Sequence, residues 1–307
     1  KDQQKAAMTK YGIVIDKLET EGNERLEQGL KFMVKSLKGY RTLIQFFRDG
    51  GLDPWSERAK DLILVLPPVE QYLIQNGGRH SMFRTVGVIA GVDAEAAALF
   101  PGQSANVEAL HGFMVRQVQF ADRNIAITCS GIGKVNAAMA AMMLVEHYHA
   151  DLLIVVGTAG KLNGRDGACF QIVEAVQGDY GASRSDGFVH YRAGAWPIGE
   201  AHAEPFYAAI MPETGLPKVR VITSDCFMES ADHGERLHKA LSGDIVDMET
   251  AAVAQAAARM DIPWAAIKAV SDDANGNSAG DFQANLKYAA RLAAEATQRM
   301  IADLPQG

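Results

Sequence analysis

Cysteine is scarce in this chain of 307 residues: Cys129, Cys169 and Cys226 lie far apart, with no Cys-x-x-Cys pair. That spacing excludes a disulfide framework or a zinc knuckle and fits reduced thiols packed as small core residues in the cytoplasm. Long apolar runs are missing as well. The longest, such as 152–156, are strand-sized, and the later alanine-rich stretch is interrupted by Arg259, Asp261 and Lys268, so no membrane span is expected. No secretory leader is visible. Positive charge is in deficit, with 30 Lys and Arg against 37 Asp and Glu and a net charge of −7. A general grip on nucleic acid is therefore not expected, because displacing counterions from a polyanion takes clustered cations. His147 and His149 stand beside Glu146, but positions two apart on a helix point in different directions, and no metal or cofactor is expected. What is present is ordinary globular composition, 48% hydrophobic and 22% charged, in a chain long enough for one large domain with an appendage.

Two parts are distinguishable. Residues 1 to about 76 carry no strand alternation, and Leu26, Leu30, Met33, Leu37, Tyr40, Ile44 and Phe47 form one apolar stripe at helical spacing. Asp49-Gly50-Gly51 stops that helix and Pro67-Pro68 interrupts the next helical stretch, so 1–81 reads as a small all-α appendage. The run from Asn76 through Gly77-Gly78 to Met82 reads as a flexible junction whose Met82 resembles a chain start, leaving an accessory domain and a fusion partner both open. From residue 83 the texture becomes short apolar runs at 86–89, 113–119, 125–129, 152–156, 172–176, 219–223 and 264–270, alternating with helical segments at 134–148, 248–260 and 282–302. This order predicts an α/β domain over 82–307, a central mixed sheet flanked by helices with its site at strand ends.

Several segments could carry chemistry. Ser130-Gly131-Ile132-Gly133-Lys134 follows a strand and opens a helix, where backbone N–H groups can hold an oxygen. It is not a dinucleotide fingerprint, because Asn136 stands where the third glycine belongs. Asp247-Met248-Glu249 begins a helix and Ser271-Asp272-Asp273 ends a strand, while Glu95 follows the first strand of the domain. Singly, each has a plain alternative: acids favoured by a helix dipole, an ordinary cap or turn, a solvated carboxylate in a first helical turn.

Their joint order carries more. The segments GVIAGVDAEAAAL, SGIGKVNAA, VVGTAGKL, TSDCFMES, VDMETAAVAQ and IKAVSDDA occur in the sequence of the nucleoside phosphorylase/nucleosidase superfamily, and residues 83–307 resemble its bacterial methylthioadenosine/S-adenosylhomocysteine nucleosidases. The resemblance implies a three-layer nucleoside phosphorylase-like fold and a homodimer whose apolar helix faces meet. It implies hydrolysis of the bond between adenine and ribose. Asp272 falls on the family's general acid, Glu95 on the carboxylate that handles the attacking water, and Glu249 on the one that grips the ribose hydroxyls. Met248 lies under the sugar, Phe227 and Met228 sandwich the adenine, Ser130, Gly131 and Ser271 line the site, and Phe282 sits near the 5′ substituent.

The chemistry explains the residue types. Cleaving an N-glycosidic bond produces an oxocarbenium-like sugar and a poor purine leaving group, so proton donation to the base is where rate is gained. Phosphorylases of the superfamily hold phosphate with arginines, whereas here the corresponding places read Gly91-Val92-Asp93-Ala94-Glu95 and Val155-Val156-Gly157-Thr158. Water is therefore the expected nucleophile. Lys161, Glu229 and Lys268 depart from the pattern, and 178–188 looks more like futalosine hydrolases. A futalosine or aminodeoxyfutalosine hydrolase is thus one alternative, and an inactive nucleoside-binding or interaction module is another.

Overall fold

The computed structural model describes residues 83–162, 166–209 and 211–304; the helical stripe expected between Leu26 and Phe47, with the rest of 1–81, lies outside the described residues. Along the described chain run β1 (Thr85–Ala90), α1 (Asp93–Ala98), β2 (Asn106–Leu110), β3 (Phe113–Phe120), β4 (Arg123–Cys129), α2 (Lys134–Tyr148), β5 (Leu152–Lys161) and β6 (Cys169–Gln177). Then come β7 (Gly181–Arg184), β8 (Gly187–His190), β9 (Phe206–Tyr207), β10 (Lys218–Thr223), α3 (Ala231–Leu241), β11 (Ile245–Asp247), α4 (Thr250–Met260), β12 (Trp264–Asp272) and α5 (Ser278–Ala302).

β1 and β5 are buried over almost their whole length because both faces of the sheet are covered, which makes continuous apolar runs the stable choice there. β1 lies parallel to both β4 and β5, and β5 is parallel to β12. β12 meets β6 antiparallel, so the sheet is mixed, as expected. Its order is β11-β10-β6-β12-β5-β1-β4-β3-β2, with β9 on β6. The far end of β5 also pairs with β11, through Val246↔Gly160 and Ile245↔Lys161. That pairing closes β5, β12, β6, β10 and β11 into a ring.

Helices cover both faces. Ala137, Ala140, Ala141 and Leu144 of α2 share a core cluster with Ala251, Val253, Ala254 and Ala257 of α4, and such small side chains let the two helices approach closely. α5 lies across β12 and β5 and touches α1, burying Ala289, Ala290, Ala293 and Ala294. Every strand expected from an apolar run is present, and α2 has the expected bounds. α5 begins one turn earlier than 282. β2, β7, β8, β9, β11 and α3 were not expected: they are short or largely exposed, and α3 buries only Gly234, Leu237 and Leu241, so no apolar run announces them. The segment 178–188 holds β7, the turn and the start of β8 in a separate two-stranded hairpin.

Candidate active site

One pocket opens where β1 ends, beside the later part of β5 and the ends of β11 and β12. Glu95, Asp247, Glu249 and Asp272 line it together with Val92, Ile132, Thr158, Phe227, Met228, Met248, Ser271 and Phe282. Four carboxylates therefore share one small space, and no arginine or lysine is among the lining residues.

Glu95 sits in the first turn of α1, where Val92, at the N-cap, has no side-chain oxygen to cap the helix. The Glu95 carboxylate does this instead: Oε2 accepts from the N–H groups of Gly91 at 3.0 Å and Val92 at 3.1 Å. Oε1 accepts from the Thr158 N–H at 2.7 Å and the Thr158 hydroxyl at 2.8 Å. Four donors on two oxygens match a carboxylate that only accepts. The alternative of a solvated first-turn carboxylate does not hold; Glu95 is buried. It lies so close to β5 that a Cβ on Gly157 would stand 2.7 Å from its carboxyl carbon.

Asp272 is placed by an irregularity. The pairing of β12 with β5 shifts register between Val270 and Asp272, and such a bulge re-aims side chains that would otherwise alternate between faces. Ser271 and Asp272 consequently both line the pocket. The Ser271 hydroxyl donates to Oδ2 at 2.8 Å and the Ala274 N–H to Oδ1 at 3.0 Å. Asn285 of α5 holds this turn by donating to the Ser271 carbonyl at 2.9 Å.

Glu249 is the N-cap residue of α4. Its Oε1 accepts from the Gly133 N–H at 3.3 Å, and its Oε2 lies 3.6 Å from Lys268 Nζ. Lys268 is only 1% exposed, with its ammonium 3.0 Å from Asp247 Oδ2. Asp247 also accepts from the Thr223 hydroxyl, from the Thr250 N–H at 3.0 Å and from the Thr250 hydroxyl. Burial pushes the Glu249 carboxyl up, to about 7; Lys268 opposes the rise while Asp247 and Glu95 add to it. Burial alone would lower the Lys268 ammonium, but Asp247, Glu249 and Glu95 outweigh it and raise its pKa.

Above this polar floor the walls are apolar. The Phe227 and Phe282 rings meet edge to face, 5.9 Å apart at 76°, and Met228, Met248, Val92 and Ile132 are among the other apolar lining residues. A flat aromatic ligand fits such walls. Of the ten residues singled out from sequence, eight meet here. Ser130 and Gly131 stay outside the lining: the Ser130 hydroxyl lies 2.7 Å from the Gly131 carbonyl and 3.2 Å from that of Ala90, and Ile132 reaches the pocket in their place. Sequence reasoning missed Thr158, and it read Lys268 only as a departure from the family. Both had the same available signal, a polar residue inside an otherwise apolar strand.

The fold and the pocket define the class: the chain belongs to the phosphorylase superfamily, whose model matches residues 85–304. Within it, this chain is similar to the 5′-methylthioadenosine/S-adenosylhomocysteine nucleosidase of Staphylococcus aureus (strain MRSA252), at 27% identity over 231 residues, which are 71% of this chain and 100% of the relative. In fold it matches the Helicobacter pylori nucleosidase of that name, with TM-score 0.64, 18% identity and coverage of 72% of this chain and 99% of the other. The native futalosine hydrolase of Helicobacter pylori matches equally, with TM-score 0.64, 19% identity and coverage of 73% and 99%.

Proposed function

We propose that this chain hydrolyses the N-glycosidic bond of an adenine nucleoside of the methylthioadenosine/S-adenosylhomocysteine type, without phosphate. The observation that carries this is the lining itself: four acidic residues, no arginine or lysine among the lining residues, and the nearby Lys268 ammonium already paired with Asp247 and Glu249, so the site would repel a phosphate dianion yet suit a neutral or cationic sugar. Asp272, as the acid, donates its proton to the imidazole-side nitrogen of adenine as the bond to the anomeric carbon breaks. Glu95 orients water toward that carbon, the Thr158 hydroxyl turning away from Oε1 to free the acceptor position that the water takes; the water's hydroxyl joins the sugar and its remaining proton leaves through the carboxylate. Glu249 accepts from the ribose hydroxyls, Met248 lies under the sugar, Phe227 and Met228 enclose the base, and Phe282 flanks the 5′ substituent. The Ser271 hydroxyl fixes the orientation of Asp272.

Three further elements belong to the same reading. Val135, Met139 and Met142 of α2 are 69%, 51% and 55% exposed at spacings of four and three, an apolar stripe suited to a second copy of the chain. Residues 82–307 are the catalytic domain, and 1–81 are dispensable for chemistry. The cytoplasm is the working compartment. The futalosine alternative draws on the equal fold likeness to that hydrolase, and Asp272 speaks against its 6-oxopurine form because an acid there also accepts from a 6-amino group.

The test is incubation with methylthioadenosine, S-adenosylhomocysteine and aminodeoxyfutalosine, with and without phosphate, followed by identification of base and sugar. Adenine and free sugar from the first two, independent of phosphate, are expected; strict phosphate dependence or preference for the third would contradict the proposal.

A further inference from the structure

The buried Lys268 has no contact with the pocket, yet it stands between two of its carboxylates. Asp247 is heavily engaged: its Oδ2 takes the ammonium, the Thr250 N–H and the Thr250 hydroxyl, and its Oδ1 the Thr223 hydroxyl. Glu249 is not. The Gly133 N–H takes a position on Oε1 and Lys268 faces Oε2, which leaves one position on each oxygen of this pocket-lining residue, the number that a pair of vicinal hydroxyls requires. The groups facing Glu249 are Lys268 from β12, Asp247 from β11, Glu95 from α1 and the Gly133 N–H ahead of α2. Asp225 turns to the next amide, accepting from the Lys134 N–H at 2.7 Å. Among the described residues Lys268 is thus the cation that faces Glu249 in a group of acids, and it is not among the residues that line the pocket.

We propose that Lys268 is the positioning residue for the sugar end of the site: anchored on Asp247, its ammonium holds Glu249 as an anion with two acceptor positions free for the ribose hydroxyls. This rests on the nucleosidase reading. A neutral Glu249 would offer a hydroxyl of its own and lose one acceptor position, so sugar binding weakens as the carboxyl takes up a proton. With the ammonium removed, only the Gly133 N–H offsets burial, Asp247 and Glu95, and Glu249 takes up its proton at higher pH.

The experiment compares the full chain with Lys268→Met and Lys268→Arg, using methylthioadenosine and its 2′-deoxy counterpart across neutral pH. In Lys268→Met the acidic limb of kcat/KM for the ribose substrate moves up by about one to three pH units. The loss at neutral pH falls mainly on KM, on the order of a hundredfold, and is much smaller for the 2′-deoxy substrate. Lys268→Arg keeps the limb in place, and adding Lys268→Met to Glu249→Gln changes little further. A fall in kcat that is equal for both substrates, with the limb unmoved, overturns the proposal. If Lys268→Met does not fold, the unaltered chain still decides: KM for the ribose substrate must rise below about pH 7 more steeply than that for the 2′-deoxy substrate, which keeps only the 3′-hydroxyl, and parallel profiles overturn it. Absence of adenine release from either substrate would instead sink the nucleosidase reading. Lys268 is then judged in the free protein by carboxyl-carbon NMR of Glu249, where identical titrations in the methionine and arginine variants overturn the proposal.

Discussion

The two glutamates of the pocket are held in opposite ways. Glu95 rests in a cradle of neutral donors, three backbone N–H groups and one hydroxyl, all fixed by the start of α1 and by β5. Glu249 belongs to a charged cluster in which one ammonium serves two carboxylates. A cradle of dipoles fixes a carboxylate's direction without introducing a second ion. A cluster of ions leaves its members' protonation dependent on one another. The cradle suits a group that must orient water in every turnover, and the cluster suits one that responds to ligand and pH.

The largest expected effects test the division of labour between acid and cradle. Asp272→Asn loses about two to four orders of magnitude in turnover, since an amide cannot supply the acidic proton, while substrate affinity changes less. Single-turnover kinetics beside a binding titration separate the two. Glu95→Gln loses a similar factor for a different reason: its amide N–H₂ must face donors where the carboxylate accepted from them, so the cradle is broken as well as the charge removed. Near-normal turnover in either variant would assign its role elsewhere.

A graded series of glycine substitutions sharpens the contrast. A Cβ on Gly157 would meet the pinned Glu95 carboxyl carbon at 2.7 Å, one on Gly160 would meet Asp272 Oδ1 at 2.9 Å, and one on Gly91 would meet the Glu249 carboxyl at 3.1 Å. Gly157→Ala should be the most damaging and Gly91→Ala the mildest, with the worst destabilised by about 1–3 kcal/mol. Denaturant unfolding of the three variants checks the order, and a reversed order would mean that Glu95 is not rigidly held.

The smallest effect concerns stability. The Glu249 carboxyl is raised from its ordinary 4.5 to about 7, so the folded chain binds more protons than the unfolded one in that window. Its contribution to stability therefore falls as pH rises from about 4.5 to 7 and stays low above. Glu249→Gln lacks this dependence and should gain stability relative to the unaltered chain across that interval. Parallel stability–pH curves for the two proteins would contradict the raised carboxyl.

Much of the domain was legible beforehand because its central strands are buried on both faces and read as apolar runs. β11 was not, being three residues long, although its antiparallel pairing with β5 brings Asp247 and Glu249 to the pocket. The site residues were recognisable by their order along the chain, whereas the way each is held was not. That Glu95 caps its own helix, that a bulge turns Ser271 and Asp272 to the same side, and that Lys268 bridges two acids are products of contacts between elements distant in sequence. Ser130 illustrates the converse. The family resemblance implied a lining residue, but local carbonyls lie within reach of its hydroxyl and it stays outside the pocket.

The most direct measurement of the central claim is product analysis of methylthioadenosine turnover in phosphate-free buffer and in buffer with phosphate, with the sugar product identified by NMR. Four carboxylates and no cation in the lining predict the same rate in both, with adenine and free methylthioribose as the products. Methylthioribose 1-phosphate, formed only when phosphate is present, would contradict the account.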